Sequence, residues 1–209
     1  MGAMVVGRLP SAVVTAQRIL LVRHGQSDWN AQGRWQGQAD PPLTELGRSQ
    51  ARRAADRIHG IDVVVASDLE RAHHTARIMA GVHELTVERL EPRLRERHAG
   101  PWQGLTHAQI ERRWPGWIRS GRRPDGYEAD GVVAARAVEA LHDIAVSYPG
   151  ATTMAVSHSG TIRAVVHQVS GREIRLANLA GVWLELSDGV LSIGSEQHLL
   201  AYDTFTRVE

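Results

Sequence analysis

The chain has 209 residues, 43% of them hydrophobic and 22% charged, with a formal net charge of +1. That is enough chain for one domain with a sizeable core, and a balance so near neutral sets up no overall field toward nucleic acid or a membrane. There is no cysteine, which excludes disulfides and thiolate chemistry, and no lysine among the 24 basic residues, which excludes Schiff-base and lysine-dependent phosphate chemistry.

Residues 1–17 read as an N-terminal extension, without the charged start and unbroken apolar block of a signal peptide. No apolar run approaches the ~20 residues that span a bilayer, so a cytoplasmic protein is expected, with a single domain over residues 18–209. Arg18–Val22 is a buried strand followed at once by Arg23-His24-Gly25. A Gly- and Gln-rich loop leads to a helix opening at Thr44, a suitable N-cap, with Ala51, Ala54, Ala55 and Ile58 on one face. Ile61–Ala66 is a second strand, ending in Ser67, and the next helix carries Leu69, Ala72, Ala76 and Met79. A strand is expected over Glu84–Leu90, then a loop over Arg93–Gly104.

Thr106–Asp125 reads as a short helix within an Arg- and Trp-rich excursion. From Ala129 to Val146 the apolar positions Ala134, Ala137, Val138, Leu141 and Ala145 mark a long amphipathic helix. Thr152–Val156 is a third buried strand, ending at Ser157-His158-Ser159-Gly160, and it feeds a helix striped with Ile162, Val165, Val166 and Val169. Val182–Leu186 and Leu191–Ile193, separated by Asp188-Gly189, form a closing hairpin. Strands alternating with helices predict an α/β three-layer sandwich, with a mainly parallel sheet covered on both faces.

In such a sheet, ligands bind beyond the carboxyl ends of the strands. Three apolar runs here end in phosphate-compatible residues: Arg23-His24-Gly25, Ser67-Asp68 with Arg71 shortly after, and Ser157-His158. With no lysine, a bound phosphate is held by arginine, histidine, hydroxyls or backbone N–H groups. Gly25 and Gly160 are expected to let backbone approach a ligand closely.

Arg23-His24-Gly25-Gln26-Ser27-Asp28-Trp29-Asn30 resembles the signature of the histidine phosphatase superfamily, which includes cofactor-dependent phosphoglycerate mutases. Leu43–Gly47 resembles the helix start that follows it, Ser67–Ala76 the second phosphate motif, Leu94–Gly104 the acid loop, and Ser157–Gly160 the second histidine. Asn178 fits as well. The resemblance runs in order from about Ile19 to Leu186. It implies that His24 takes the phosphoryl group, and that Arg23, Arg71 and His158 grip its oxygens with Asn30 and Ser27 assisting. It also implies that Glu96 protonates the leaving oxygen and then activates water. Ser159 stands where many relatives have glycine, so it either narrows the pocket or adds a donor. The implied ligand is a small phosphorylated metabolite, with no cofactor and no metal.

A mutase would share this constellation, but mutases of this family carry a longer insertion than the two dozen or so residues between Gly104 and Ala129. Arg122-Arg123 keep that alternative open. A binding module would have lost His24 or Glu96. A metallohydrolase using His24 and His158 is disfavoured by Arg23 and Arg71, which would repel the cation. The stretch Trp102–Ile110 is similar to that of actinobacterial phosphatases acting on glucosyl-phosphoglycerate. Trp102, Trp114 and Trp117 read as packing residues, and His73, His74, His98, His107 and His198 as structural or surface histidines.

Overall fold

A computed structural model describes residues 16–200. The expected extension lies outside the described residues apart from its last two, and Gln17 is already in the first strand. In chain order the elements are β1 (Gln17–Arg23), α1 (Asp28–Ala31), α2 (Glu45–Ala55), β2 (Val63–Ala66), α3 (Glu70–Val82), β3 (Val87–Leu90), α4 (His107–Arg113), α5 (Trp117–Ser120), α6 (Asp130–Ser147), β4 (Thr152–Ser157), α7 (Ser159–Ser170), β5 (Ala180–Ser187) and β6 (Val190–His198). The six strands form one sheet in the order β3-β2-β4-β1-β5-β6. Its first four members are parallel, and β5 runs antiparallel to both β1 and β6.

Strand alternation divides the core in two. Ile19 and Leu21 of β1 join Ala155 of β4 in a cluster with Leu141 and Ile144 of α6 and Ile162 and Val165 of α7. Leu20 and Val22 face the other way, with Met154 and Val156, onto Ala51 and Ala54 of α2 and Ala72 and Met79 of α3. The central strands are apolar at consecutive positions because both faces are covered. The expected three-layer sandwich is the observed one.

The hairpin turns at Asp188 and Gly189, both at positive φ (50° and 76°), the twist that a two-residue connection between twisted strands requires. The strand expected from Glu84 begins three residues later. Glu84 sits at φ 58° and Leu85 N–H returns to Ala80 O, so this segment terminates α3 and cannot extend. The excursion holds two short helices where one was expected, the second flanked by left-handed Gly116 and Gly121. Helix α1 was read as loop; Ser27 opens it through a capping box with Asn30.

The loop after β1 packs backbone-to-backbone on the first turn of α2, whose N-cap is Thr44 as expected. A Cβ on Gly25 would lie 2.6 Å from Gly47 O, and one on Gly47 would lie 2.0 Å from Gln26 O. Gly25 therefore serves this close approach, which corrects the expectation that it clears room for a ligand. Gly47→Ala is expected to destabilise the protein by about 1–3 kcal/mol, because backbone must shift. Gly81→Ala, in open space inside α3, is expected to stabilise it by about 0.5–1 kcal/mol. Denaturant unfolding of both variants checks the contrast.

Candidate active site

The register of the parallel strands brings the polar ends together. Arg23 pairs with Ser157 across β1 and β4, and the ladder continues one step as His24 N–H donates to Ser157 O at 3.0 Å. On the other side Ser67 N–H donates to Val156 O at 2.9 Å. All three motifs thus reach one rim, and the rings of His24 and His158 stand 5.2 Å apart.

His24 is 3% exposed and fixed on every side. Its carbonyl accepts from Asn178 Nδ2 at 2.9 Å, and the next N–H, of Gly25, donates to Thr75 Oγ1 at 3.1 Å. Its Nδ1 lies 2.7 Å from Gly25 O. A carbonyl can only accept, so Nδ1 carries the ring proton and Nε2 keeps a lone pair. Burial, then the charges of Arg71 and Arg23, hold the ring well below the ordinary value of 6.5, so it is neutral.

Arg71 is buried at 1% exposure near the start of α3. Its Nε points at His24 Nε2 (3.3 Å), while Nη1 and Nη2 donate to Ala39 O and Gly37 O, both at 2.8 Å. Each terminal nitrogen keeps a second N–H. Arg23 is anchored by Nη1 to Leu176 O at 2.6 Å, and its buried Nε has no partner. Burial lowers both guanidiniums to about 10, so they remain cationic at neutral pH.

His158 Nε2 lies 2.9 Å from Ser67 Oγ, which also accepts Leu69 N–H. Its buried Nδ1 has no partner. Burial, then Arg71, keeps this ring neutral too. Asn30 Oδ1 accepts from Ser27 N–H, Ser27 Oγ and Asn178 Nδ2, which leaves its NH₂ end to the cavity that it lines.

The expected phosphate contact at Ser27 is not formed by this geometry. Its hydroxyl caps α1 and lies 2.7 Å from Gln36 Oε1, and it does not line the cavity. Ser159 does line it, at the N-terminus of α7.

Glu96 accepts one backbone N–H on each carboxylate oxygen, from Arg97 and from Gly160, both at 2.9 Å. A Cβ on Gly160 would stand 2.3 Å from Glu96 Oε1. That glycine therefore makes room for the carboxylate, a different use from the ligand clearance expected of it. Of the two arginines flanking Glu96, Arg95 pairs with Asp68, while Arg97 Nε lies 3.9 Å from Glu96 Oε1.

Arg23, His24, Asn30, Arg71, Glu96 and Ser159 line a cavity of about 860 Å³, and the fully buried His158 stands just outside its lining. Its outer wall includes Trp29, Trp35, His107, Ile118, Arg123 and Tyr127, of which only Arg123 was singled out as a candidate in the sequence. Trp102 and Trp114 pack in an aromatic cluster with Trp35 and Tyr127, as expected of packing residues. Arg123 lies 5.4 Å from the Trp102 and Tyr127 rings, and no carboxylate pairs with it among the described residues. Among the described residues no three His, Cys, Asp or Glu side chains group to hold a metal ion.

Residues 19–193 match the model of the histidine phosphatase superfamily (branch 1). The chain belongs to that superfamily. It is 41% identical over 165 residues to the glucosyl-3-phosphoglycerate phosphatase of Mycobacterium tuberculosis (strain ATCC 25618 / H37Rv), covering 72% of this chain and 74% of the relative. It is 34% identical over 198 residues to phosphoglycerate mutase-like protein 4 of Arabidopsis thaliana, covering 87% and 85%. A solved mycobacterial glucosyl-3-phosphoglycerate phosphatase in complex with VO3 superposes with a TM-score of 0.75 at 33% identity, over 86% of this chain and 97% of that one. The histidine phosphatase described here is a phosphomonoesterase that acts on a small phosphorylated metabolite through a phosphohistidine. No helix among the described residues is long and apolar enough to cross a membrane.

The two buried neutral rings set an acid limit on stability. Below about 6.5 the unfolded chain takes up a proton on each ring that the folded protein refuses. Their contribution is therefore complete above that value and falls with pH by up to about 1.4 kcal/mol per pH unit per ring. Glu91, held down to about 2 by its hydrogen bond with Arg93, acts only below the ordinary 4.5 of its carboxyl, a separate window. Denaturant unfolding between about pH 5 and 6.5 is expected to show this slope, and His24→Gln to remove about one ring's share. An unchanged slope in the variant would mean that the folded protein protonates His24 readily.

Proposed function

We propose that His24 Nε2 is the nucleophile, that Arg23, Arg71, His158, Asn30 and Ser159 bind the transferring phosphoryl group, and that Glu96 is the acid and base. The observation carrying this reading is the single proton of His24, held on Nδ1 by Gly25 O, which leaves Nε2 unprotonated and accepting only the long 3.3 Å hydrogen bond from Arg71 Nε. In the first step Nε2 forms a bond to phosphorus as the ester P–O bond breaks, and the leaving oxygen takes the Glu96 proton. In the second step water attacks phosphorus, Glu96 takes its proton, and the P–N electron pair returns to Nε2. Attack by a ring already protonated on Nδ1 leaves the phosphoimidazole cationic, a good leaving group for the second step. Donors fixed in advance around the phosphoryl oxygens stabilise the charge that develops there.

For the substrate we infer a phosphoglycerate carrying a bulky group, of the glucosyl-3-phosphoglycerate kind. Arg123 supplies a cation without a carboxylate partner for a second acidic end. Trp29, Trp35 and Ile118 supply apolar wall for a sugar face. The short excursion between Gly104 and α6 favours water over a second phosphoryl acceptor. A cytoplasmic location belongs to the same reading.

Labelled substrate quenched without acid is expected to give an alkali-stable, acid-labile phosphoprotein, absent in His24→Ala. Vanadate is expected to compete with substrate, and EDTA to leave turnover unchanged. Label persisting in His24→Ala would move the nucleophile elsewhere, and a mutase rate on 3-phosphoglycerate above the best hydrolysis rate would reverse the choice of activity. Arg123→Ala is expected to raise KM for glucosyl-3-phosphoglycerate about 10-fold or more, as for loss of a charged hydrogen bond, with p-nitrophenyl phosphate unaffected.

A further inference from the structure

The segment that carries Glu96 runs between β3 and α4 without a strand partner, so its carbonyls must find donors elsewhere. Four in succession do, and every donor is a side chain from another part of the fold. Arg93 O accepts from Arg136 Nη1 at 2.6 Å, and Leu94 O from Ser157 Oγ at 2.8 Å. Arg95 O accepts from Arg136 Nη1 at 2.7 Å and from Thr161 Oγ1 at 2.8 Å. Glu96 O accepts from Arg136 Nη2 at 3.3 Å and from Gln38 Nε2 at 3.1 Å.

Arg136, in the second turn of α6, touches three of the four. Its remaining N–H groups meet Glu128, with Nε on Oε1 at 2.7 Å and Nη2 on Oε2 at 2.9 Å. Every donor of the guanidinium is thus engaged, and the side chain does not line the cavity. It has no capacity left for substrate. Glu128 extends the clamp past Glu96, because its carboxylate accepts His98 N–H at 3.0 Å and its own N–H donates to His98 O at 2.8 Å. The backbone is held on both sides of Glu96, and the pair is shielded, with side chains 18% and 17% exposed.

We propose that Arg136, paired with Glu128, is a positioning residue that sets the Glu96 carboxyl for proton transfer, an inference resting on the reading of Glu96 as acid and base. A guanidinium suits the task because its planar fork can bond several carbonyls and a carboxylate at once, which an ammonium cannot. Glu128 cancels its charge, so the loop is anchored with no net cation added beside a carboxyl that must be protonated for half of the cycle. An acid displaced by even 1 Å loses much of its effect, while phosphate binding by Arg23, Arg71 and His158 has no share in the clamp.

The test compares Arg136→Gln, Arg136→Lys, Glu96→Gln and the Glu96→Gln/Arg136→Gln double variant on an alkyl phosphate and on p-nitrophenyl phosphate. Vanadate affinity and Tm are measured alongside. A nitrophenolate leaves without an acid, whereas an alkoxide needs the roughly 10²–10⁴-fold help of one. Arg136→Gln is expected to lower kcat on the alkyl ester about 10-fold or more, with the nitrophenol burst rate and vanadate affinity within about 3-fold of the parent. Arg136→Lys should recover only part of the loss, and the double variant should be no slower than Glu96→Gln, since both changes act through one carboxyl. Equal losses on both esters, weakened vanadate binding, or a double variant slower than Glu96→Gln would each overturn the proposal and make Arg136 a general support of the fold. Should Arg136→Gln not fold, Glu128→Gln unpairs the guanidinium at constant shape and must show the same discrimination between esters, or the proposal fails. If Glu96→Gln itself does not discriminate between the esters, the assignment of the acid falls first and takes the proposal with it.

Discussion

A buried imidazole beside two guanidiniums stays neutral, and the 2.7 Å contact of His24 Nδ1 with Gly25 O decides which nitrogen keeps the proton. That contact exists only while the backbone at residues 24 and 25 is held in one conformation. Asn178 grips His24 O, Ser157 O accepts His24 N–H, and Thr75 accepts Gly25 N–H. The glycine can sit there because Gly47 also lacks a side chain, so the loop presses directly on α2. Sheet, helix and loop thus converge on the location of one proton. On the proposed reading the same bond serves both steps, leaving Nε2 unprotonated for attack and stabilising a cationic ring once Nε2 is phosphorylated.

The two arginines differ in what holds them: Arg71 is buried and Arg23 half-buried, and both are still charged. Arg71 is tied by Gly37 and Ala39 carbonyls and donates its Nε to His24 Nε2. Arg23 has one anchor, Leu176 O, and a buried Nε without a partner. His158 Nδ1 is a second buried nitrogen without a partner. On the proposed reading both nitrogens face the transferring phosphoryl group.

Much of this was legible in the sequence because strands announce themselves twice, by an apolar run and by where it stops. Arg18–Val22, Ile61–Ala66 and Thr152–Val156 are each followed at once by residues of the rim, Arg23, Ser67 and Ser157. What could not be read is what depends on irregular backbone. Ser27 reads as a phosphate donor, yet its hydroxyl closes a capping box whose third residue is Asn30, where Glu or Gln is the usual signal. Gly160 reads as room for a ligand, but the neighbour it admits, Glu96, is sixty-odd residues away in sequence. His107 lies in the Trp102–Ile110 stretch yet reads as a structural or surface histidine, and only the turn of α4 carries it to the cavity wall. Arg136 lies among apolar residues of an amphipathic helix, where an arginine reads as a solvated edge. Its acceptors are carbonyls, which every residue has, so no side-chain pattern marks them.

The arrangement around Glu96 places a carboxylate beside cations without letting them anchor it. Arg23 and Arg71 both feel Glu96 as a counter-charge, and Arg97 Nε lies 3.9 Å from its Oε1. None of these guanidiniums donates to the carbonyls of residues 93–96. Those carbonyls are held by Ser157, Thr161, Gln38 and Arg136, and Glu128 pairs with Arg136. Each carboxylate oxygen takes one backbone N–H and keeps a lone pair. On the proposed reading that lone pair exchanges the proton with the leaving oxygen and then with water, so the groups that fix the carboxyl are separate from those that grip the phosphoryl oxygens.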